Sequence, residues 1–423
     1  MLYLHYGCKV NQYETNAIAQ KFIENGYNVI ENNQKADIYV INTCTVTNMS
    51  DRKSRQILRR AKQLNKNSIV VAIGCYAQVA KEDLKKIEEI DLILGTNEKN
   101  DIIDIVEKYE KQTIVTDVMN KKEFSDFGTI TYTDKTRAVI KVQDGCDRFC
   151  SYCIIPYARG RVRSRKKESI KEEITEIGKK GIKEVVITGI HVASYGKDFK
   201  EEYKLIDLIE DINKVDGIER IRLGSLEPTL ITVDFMERLK KLDKFCHHFH
   251  LSLQSACNDT LKRMNRKYTI EEFIEITKLI RKYYNDATLT TDIIVGFPGE
   301  TEEEFNITYE NLKKIKFYKM HVFKYSVRNG TKAAVMENQI DSSIKEKRSK
   351  ILLKLSDENQ IEYNKKYINK DIEVLFEEEK NGFFEGHTKN YIIIKVKTKA
   401  ALEGKIQKVK VINRDKLDLV GIF

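Results

Sequence analysis

Proline is scarce in this chain, three residues in 423, and glycine numbers only 20. Neither a collagen-like repeat nor a proline-rich linker can be built from such material. No uninterrupted apolar run approaches the ~18 residues of a membrane-spanning helix. The first residues, Met-Leu-Tyr-Leu-His-Tyr-Gly, also lack a basic stretch followed by an apolar one. These absences predict a cytoplasmic chain with no membrane partner. Hydrophobic residues at 41% and charged residues at 33% exclude dominant disorder, and the length predicts one large domain with smaller satellites.

The charge balance of 74 Lys+Arg against 64 Asp+Glu, net +10, suits an anionic partner such as nucleic acid. The same balance also follows from a chain rich in Lys, Asn, Ile and Glu throughout, so the location of the charge decides. Eight cysteines in a reducing compartment point to metal or redox chemistry rather than to disulfides.

Three rhythms divide the chain, and all three make it α/β overall. Over residues 1–120, buried strands are expected at Leu2–Tyr6, Ile38–Asn42, Ile69–Gly74 and Leu92–Gly95, with helices such as Glu14–Asn25 and Asp51–Asn65 between them. That alternation describes a small parallel α/β domain. Over residues 132–360, strands at Ala138–Val142, Glu184–Thr188, Ile221–Ser225, His248–Leu253, Leu289–Val295 and Lys319–Tyr325 alternate with amphipathic segments. Six β-α repeats fit a partial (β/α)6 barrel with its chemistry at the C-terminal strand ends; a flat doubly wound sheet is the competing geometry. Over residues 361–423 the period falls to two: Ile394 and Val396 alternate with Lys395 and Lys397, and Val409 and Val411 with Lys408 and Lys410. This pattern predicts a small antiparallel β-barrel.

Cys146, Cys150 and Cys153 stand as Cys-Asp-Arg-Phe-Cys-Ser-Tyr-Cys directly after the first strand of the middle segment. Three thiols so close can surround one metal centre and leave a coordination position open. A zinc site with a distant fourth ligand is the alternative, but no second closely spaced pair is present. Cys8, Cys44 and Cys75 each follow a predicted strand; if those strands are parallel in one sheet, the three thiols leave on the same edge and can bind a second cluster. Cys246 and Cys257 fall outside both sets and receive no role.

The CxxxCxxC arrangement, with Tyr152 before its last cysteine, resembles the signature of radical S-adenosylmethionine enzymes. In that superfamily three thiolates hold a 4Fe-4S cluster whose open iron binds S-adenosylmethionine. The resemblance extends to the strand ends Ile187-Thr188-Gly189, Leu223-Gly224-Ser225-Leu226-Glu227-Pro228, Leu251-Ser252-Leu253-Gln254-Ser255 and Asp292-Ile293-Ile294-Val295-Gly296-Phe297-Pro298-Gly299-Glu300. It implies Gly189, Ser225, Glu227, Gln254 and Asp292 as contacts to S-adenosylmethionine. With the N-terminal cysteines added, the whole chain is similar to the methylthiotransferase family, which has a second 4Fe-4S cluster in its N-terminal domain and a C-terminal RNA-binding barrel called TRAM. Gly7-Cys8-Lys9-Val10-Asn11-Gln12-Tyr13-Glu14 and Cys44-Thr45-Val46-Thr47-Asn48 are most similar to the branch acting on N6-threonylcarbamoyladenosine at position 37 of tRNA.

The resemblance therefore implies a radical enzyme with two 4Fe-4S clusters, on Cys8, Cys44 and Cys75 and on Cys146, Cys150 and Cys153, with S-adenosylmethionine as cosubstrate. Its partners would be a tRNA anticodon-loop adenosine, a reductant and a sulfur donor. Isopentenyladenosine or a ribosomal-protein aspartate are alternative substrates, and a non-enzymatic iron–sulfur RNA-binding or redox-sensing protein is the alternative outside enzymes. Candidate RNA contacts are Arg159, Arg161, Arg163, Arg165, Lys166 and Lys167, the basic helix from Arg52 to Lys62, and the lysines of the C-terminal segment. Ten Lys+Arg face three acids there between Lys380 and Lys416, with Lys395, Lys397 and Lys399 expected on one face.

Overall fold

A computed structural model describes residues 2–5, 7–30, 34–133 and 135–423. Tyr6, where the first strand was expected to end, and Asp134, in the polar stretch ahead of the middle segment, lie outside the described residues. The first unit is a five-stranded parallel sheet in the order β1 (Leu2–His5), β2 (Ile38–Thr43), β3 (Ile69–Gly74), β4 (Leu92–Leu94) and β5 (Gln112–Ile114). Its strands are apolar runs because both faces are covered. Ile18 and Phe22 of helix α1 (Lys9–Glu24) pack with Val40, Val71 and Ile73 on one face; Leu58 and Ala61 of helix α2 (Asn48–Leu64) pack with Tyr39, Ile41 and Ala72 on the other. β5 carries no buried residue, and so no apolar run announced it.

The second unit contains β6 (Arg137–Asp144), β7 (Arg163–Ser164), β8 (Glu184–Gly189), β9 (Arg220–Leu223), β10 (Ser225–Leu226), β11 (His248–Gln254), β12 (Thr288–Val295) and β13 (Lys319–Lys324). β6, β8 and β9 pair in parallel, as do β10 to β13; a break at Gly224 separates the two sets of hydrogen bonds within one strand. The parallel strands follow one another in chain order, and the short β7 pairs antiparallel on the outer edge of β6. Val185, Ile187, Leu223, Leu251, Leu289 and Ile293 point to the surrounding helices, whereas the alternate residues Lys141, Glu184, Arg222, His250 and Asp292 face inward. A helical layer on one face only, over sequentially ordered strands, makes a partial barrel and not a doubly wound sheet. The helices begin as their sequences dictate: the hydroxyls of Thr47, Thr232, Thr269 and Thr301 each accept a hydrogen bond from the N–H three residues on.

The Ser342–Asn364 helix runs across residue 360, and the last unit begins at β14 (Asp371–Lys380), followed by β15 (Phe383–His387), β16 (Ile393–Val396), β17 (Ile406–Asp415) and β18 (Asp418–Ile422). These close into a barrel in the order β14-β15-β16-β18-β17. Four of its five pairings are antiparallel, as expected, and β16 and β18 pair in parallel. β16 also stops at Val396. Lys397 and Lys399 therefore lie beyond the strand, and Lys395 is bound to Asp418 at 2.7 Å and Glu385 at 3.4 Å, so the three lysines form no common stripe.

The turn between β15 and β16 packs against the end of the middle barrel where its strands begin. Arg222 donates to the carbonyls of Thr388 and Lys389, and Arg220 to that of His387. Tyr391 lies between the rings of His248 (4.5 Å) and His387 (4.4 Å), with the Arg222 guanidinium 4.8 Å from its centre. Tyr391 is thereby part of the barrel floor. Helix α1 lies against β6 and β8, which brings the first unit over the barrel. No helix of the described residues is long and apolar enough to cross a membrane.

Candidate active site

Cys8 precedes the first residue of α1, Cys44 follows β2, and Cys75 follows β3, so parallel pairing of β1, β2 and β3 delivers all three to one sheet edge. Gly7 makes the approach possible: at φ +149° it passes so near Cys44 that an added Cβ would lie 2.8 Å from that residue's Cβ and 3.0 Å from its Sγ. Burial pushes the Cys44 thiol up to about 12, and the neighbouring Cys75 and Cys8 add to the effect. Cys44 and Cys75 are buried, whereas Cys8 is open to the cavity described below.

Arg159, from the short Ile155–Arg159 helix after the second cysteine set, reaches into this first set. Its Nε lies 3.1 Å from Cys75 Sγ, and its two other nitrogens bind Glu14 (2.7 and 3.0 Å), Asn11 Oδ1 (2.9 Å) and Asp144 (3.3 Å). Asn11 in turn donates to the Thr43 carbonyl at the end of β2. Lys99 and Lys141 also bind Glu14, and Lys141 and Arg163 reach Asp144. Burial alone would raise the Glu14 carboxyl, but Arg159, Lys141 and Lys99 hold it well below its ordinary range. Four buried cations thus meet two buried carboxylates beside Cys75. Such an excess of buried positive charge needs an anionic neighbour, and thiolates ligating a cluster fit that need.

The second set hangs from the end of β6. Gly145 (φ +72°) is obligatory, since a Cβ there would lie 1.8 Å from the Arg161 carbonyl oxygen. The buried Gln143 donates to the Asp144 and Gly145 carbonyls, and the Cys146 N–H donates to Gly160. Asn265 and Ser151 tie the loop to the segment around Arg263–Arg266. Burial pushes Cys146 to about 11 and Cys153 to about 12, and both rise further from the Cys150 charge. Thiols sharing so small a space ionise together only around a metal. Arg266 joins this set to the barrel by donating to Cys150 Sγ at 3.3 Å and to Glu227 at 2.8 Å.

The five expected S-adenosylmethionine contacts divide between two places. Glu227 is buried beside Arg266, near Cys150. Gln254, at φ +70°, ends β11 where Arg266 and Tyr268 bind the carbonyls of Ser252 and Leu253. Gly189, Ser225 and Asp292 instead line a cavity of about 550 Å3, together with Cys8, Lys9, Thr188, His248, His250, Thr290, Lys319, His321 and Tyr391. His250, Asp292 and His321 converge there with ligand atoms within 4.8 Å of one another, a cluster the sequence reading did not single out. Period-two alternation of His248 and His250 with Phe249 and Leu251 is the sequence signal that could have placed them on the concave face.

Three of the six arginines and lysines expected to meet phosphates do not. Arg159, Arg163 and Arg165 are buried, Arg165 against Glu173 at 2.9 Å and Asp126 at 3.1 Å. α2 does present Arg52, Lys53, Arg59 and Arg60 to solvent, directly after the Cys44 loop. Cys246 and Cys257 are buried in the barrel wall.

Residues 140–312 match the Radical SAM superfamily, and residues 1–95 match the Uncharacterized protein family UPF0004. The threonylcarbamoyladenosine tRNA methylthiotransferase MtaB of Bacillus subtilis is 42% identical, with 96% of this chain and 92% of that protein covered. Its namesake from Aquifex aeolicus is 42% identical with 92% and 94% covered. The tRNA-2-methylthio-N(6)-dimethylallyladenosine synthase of Acetivibrio thermocellus is 36% identical with 96% and 87% covered. In fold, the chain is similar to the radical S-adenosylmethionine methyltransferase TsrM from Kitasatospora setae, solved with cobalamin and a [4Fe-4S] cluster bound, at a TM-score of 0.57 and 13% identity over 79% of this chain and 77% of that one. At 42% identity over nearly the full length, with both cysteine sets gathered at strand ends, the chain belongs to the radical S-adenosylmethionine tRNA methylthiotransferase family.

Proposed function

We propose that the protein converts N6-threonylcarbamoyladenosine at position 37 of tRNA to its 2-methylthio derivative, with one 4Fe-4S cluster on Cys8, Cys44 and Cys75 and another on Cys146, Cys150 and Cys153. When bound, the cluster on Cys146, Cys150 and Cys153 would supply the electron that cleaves one S-adenosylmethionine so that hydrogen leaves adenine C2, and the cluster on Cys8, Cys44 and Cys75 would hold the sulfur that takes its methyl group from a second S-adenosylmethionine. The observation that carries this reading is Arg159, which begins six residues after Cys153 and ends on Cys75, so that one side chain fixes the separation of the two sets. An aromatic C–H offers no useful acidity, so radical chemistry asks the protein for orientation and exclusion of water rather than for an acid–base pair. Arg159, Glu14, Asp144 and Lys141 form the dry wall between the sets, Arg266 and Glu227 orient the neighbourhood of Cys150, and the Tyr391 turn closes the floor. The exposed basic face of α2 and the C-terminal barrel, read as TRAM-like, provide phosphate contacts.

Nucleoside mass spectrometry of tRNA tests this. A strain lacking the gene should lose the 2-methylthio derivative and accumulate N6-threonylcarbamoyladenosine; an unchanged nucleoside profile overturns the assignment. Anaerobically reconstituted protein should hold about eight iron atoms per chain, and about four would remove one of the two clusters.

A further inference from the structure

The cavity beside Cys8 holds two ammonium groups that the chemistry above leaves unused. Lys9, the first residue of α1, and Lys319, the first of β13, both line it. Neither makes an ion pair with any described carboxylate. The nearby acids are already taken: Asp292 lies 3.2 Å from His250, and Glu184 binds Arg222 at 2.7 Å with Arg137 beside it. Both lysines line the cavity together with His321. Two cations without an ion-pair partner among the described residues, exposed at the wall of this cavity and flanked by the polar side chains of Ser225, His250, Thr290 and His321, make a receptor for a small carboxylate that also carries hydroxyl and amide groups.

The substrate named under the proposed function has such a group. Its N6 substituent is a ureido-linked amino acid with a hydroxyl and a free carboxylate, whereas the dimethylallyl group named in the related synthases is an uncharged hydrocarbon. C2 and N6 belong to the same six-membered ring, so a base that presents C2 to the cysteine sets holds its substituent in the space next to Cys8. We propose that Lys9 and Lys319 are specificity-determining residues that bind the carboxylate of the threonylcarbamoyl group, and that this charge match separates the chain from enzymes of the same family that take an apolar substituent. The inference rests on the proposed function and adds to it the recognition element.

The test compares two anticodon stem-loop RNAs, one carrying N6-threonylcarbamoyladenosine and the other its methyl ester, which removes only the charge. Dissociation constants are measured by fluorescence anisotropy, and kcat/KM with the reconstituted enzyme. The wild-type protein should prefer the free acid by about tenfold in both, the size expected for one charge-assisted contact. Lys9→Gln and Lys319→Gln should each shrink that preference, and the double variant should bring it within about twofold. Lys319 lies on β13, an element that carries no cysteine, so Lys319→Gln keeps the test decisive if a change next to Cys8 disturbs iron binding. Equal treatment of acid and ester by the wild-type protein, or an undiminished preference in Lys319→Gln and the double variant, overturns the lysine assignment and leaves tRNA methylthiolation standing. Methylthiolation of neither RNA overturns the proposed function and this inference with it.

Discussion

Arg159 does what no lysine could do in its place. Its planar fork binds Glu14 through two nitrogens, meets Asn11 with one of them, and still leaves Nε free for Cys75 Sγ. Arg159→Met would leave Glu14 and Asp144 buried with fewer partners, a class of change that costs about 3–5 kcal/mol. Urea denaturation should show that loss, and reconstituted protein should retain less iron on the Cys8, Cys44 and Cys75 set. Arg159→Lys, which keeps the charge but loses the fork, should fall between the two. Glu184 at the barrel floor gives a pH signature. Burial alone would raise its carboxyl, but Arg222 and Arg137 bring it down to about 2. A depressed folded-state pKa means stability that is present above the ordinary carboxylate value and is lost as pH falls from about 5 to about 2, on the order of 3 kcal/mol in all. Urea midpoints of wild type and Glu184→Gln should therefore differ at pH 6 and converge as pH falls through that window.

At the scale of elements, the site is a property of strand ends. β1, β2 and β3 deliver one cysteine set and β6 the other, and in each case a glycine lets the chain leave its strand against another backbone or side chain. Gly7→Ala and Gly145→Ala should separate the two functions. Gly145→Ala drives a Cβ into the Arg161 carbonyl at a positive φ, which destabilises the loop by about 1–3 kcal/mol or more. It should abolish 5′-deoxyadenosine formation from S-adenosylmethionine. Gly7→Ala displaces Cys44 and should instead preserve 5′-deoxyadenosine formation while eliminating methylthiolated tRNA; retention of methylthiolation would contradict the assignment of the first set. The strands were legible in sequence because apolar runs such as Ile69–Gly74 and alternating ones such as His248–Leu253 follow directly from how each face is covered. β5 was not, because none of its three residues is fully buried and only Ile114 packs against the core beside the pairing with β4. The first turn of α1 was missed for a related reason: its register is set by Asn11 and Glu14 binding Arg159, about 145 residues away, and no local pattern encodes such a partner.

Across the whole molecule, what a basic residue does depends on which neighbours the fold brings to it. Cysteines could be located from sequence because their spacing matched strand ends, but Arg159, Arg163 and Arg165 read as phosphate contacts and are buried; only the assembled fold reveals Glu14, Asp144 and Glu173 around them. The charge left for RNA is therefore smaller than the composition suggests and sits elsewhere. Arg52, Lys53, Arg59 and Arg60 project from α2 without an ion pair among the described residues, and Lys410 projects from β17 between the buried Val409 and Val411. α2 starts four residues after Cys44, which puts its basic residues on the chain that leaves the first cysteine set. Exposed charges of this kind contribute little to folding, and their replacement should change stability by no more than about 0.5 kcal/mol. Binding is another matter, since each phosphate contact on structured RNA releases a counterion. Replacing Arg52, Lys53, Arg59 and Arg60 together by Gln should flatten the slope of log K against log salt by about 2–3 and weaken tRNA affinity at least about tenfold at low salt, with the gap closing as salt rises. The comparison is made by filter binding over a salt series with unmodified and modified anticodon stem-loops, and the loss should be equal for both, because a phosphate track does not read the base. A loss confined to the modified RNA would place these side chains at the nucleobase and move the RNA path off α2.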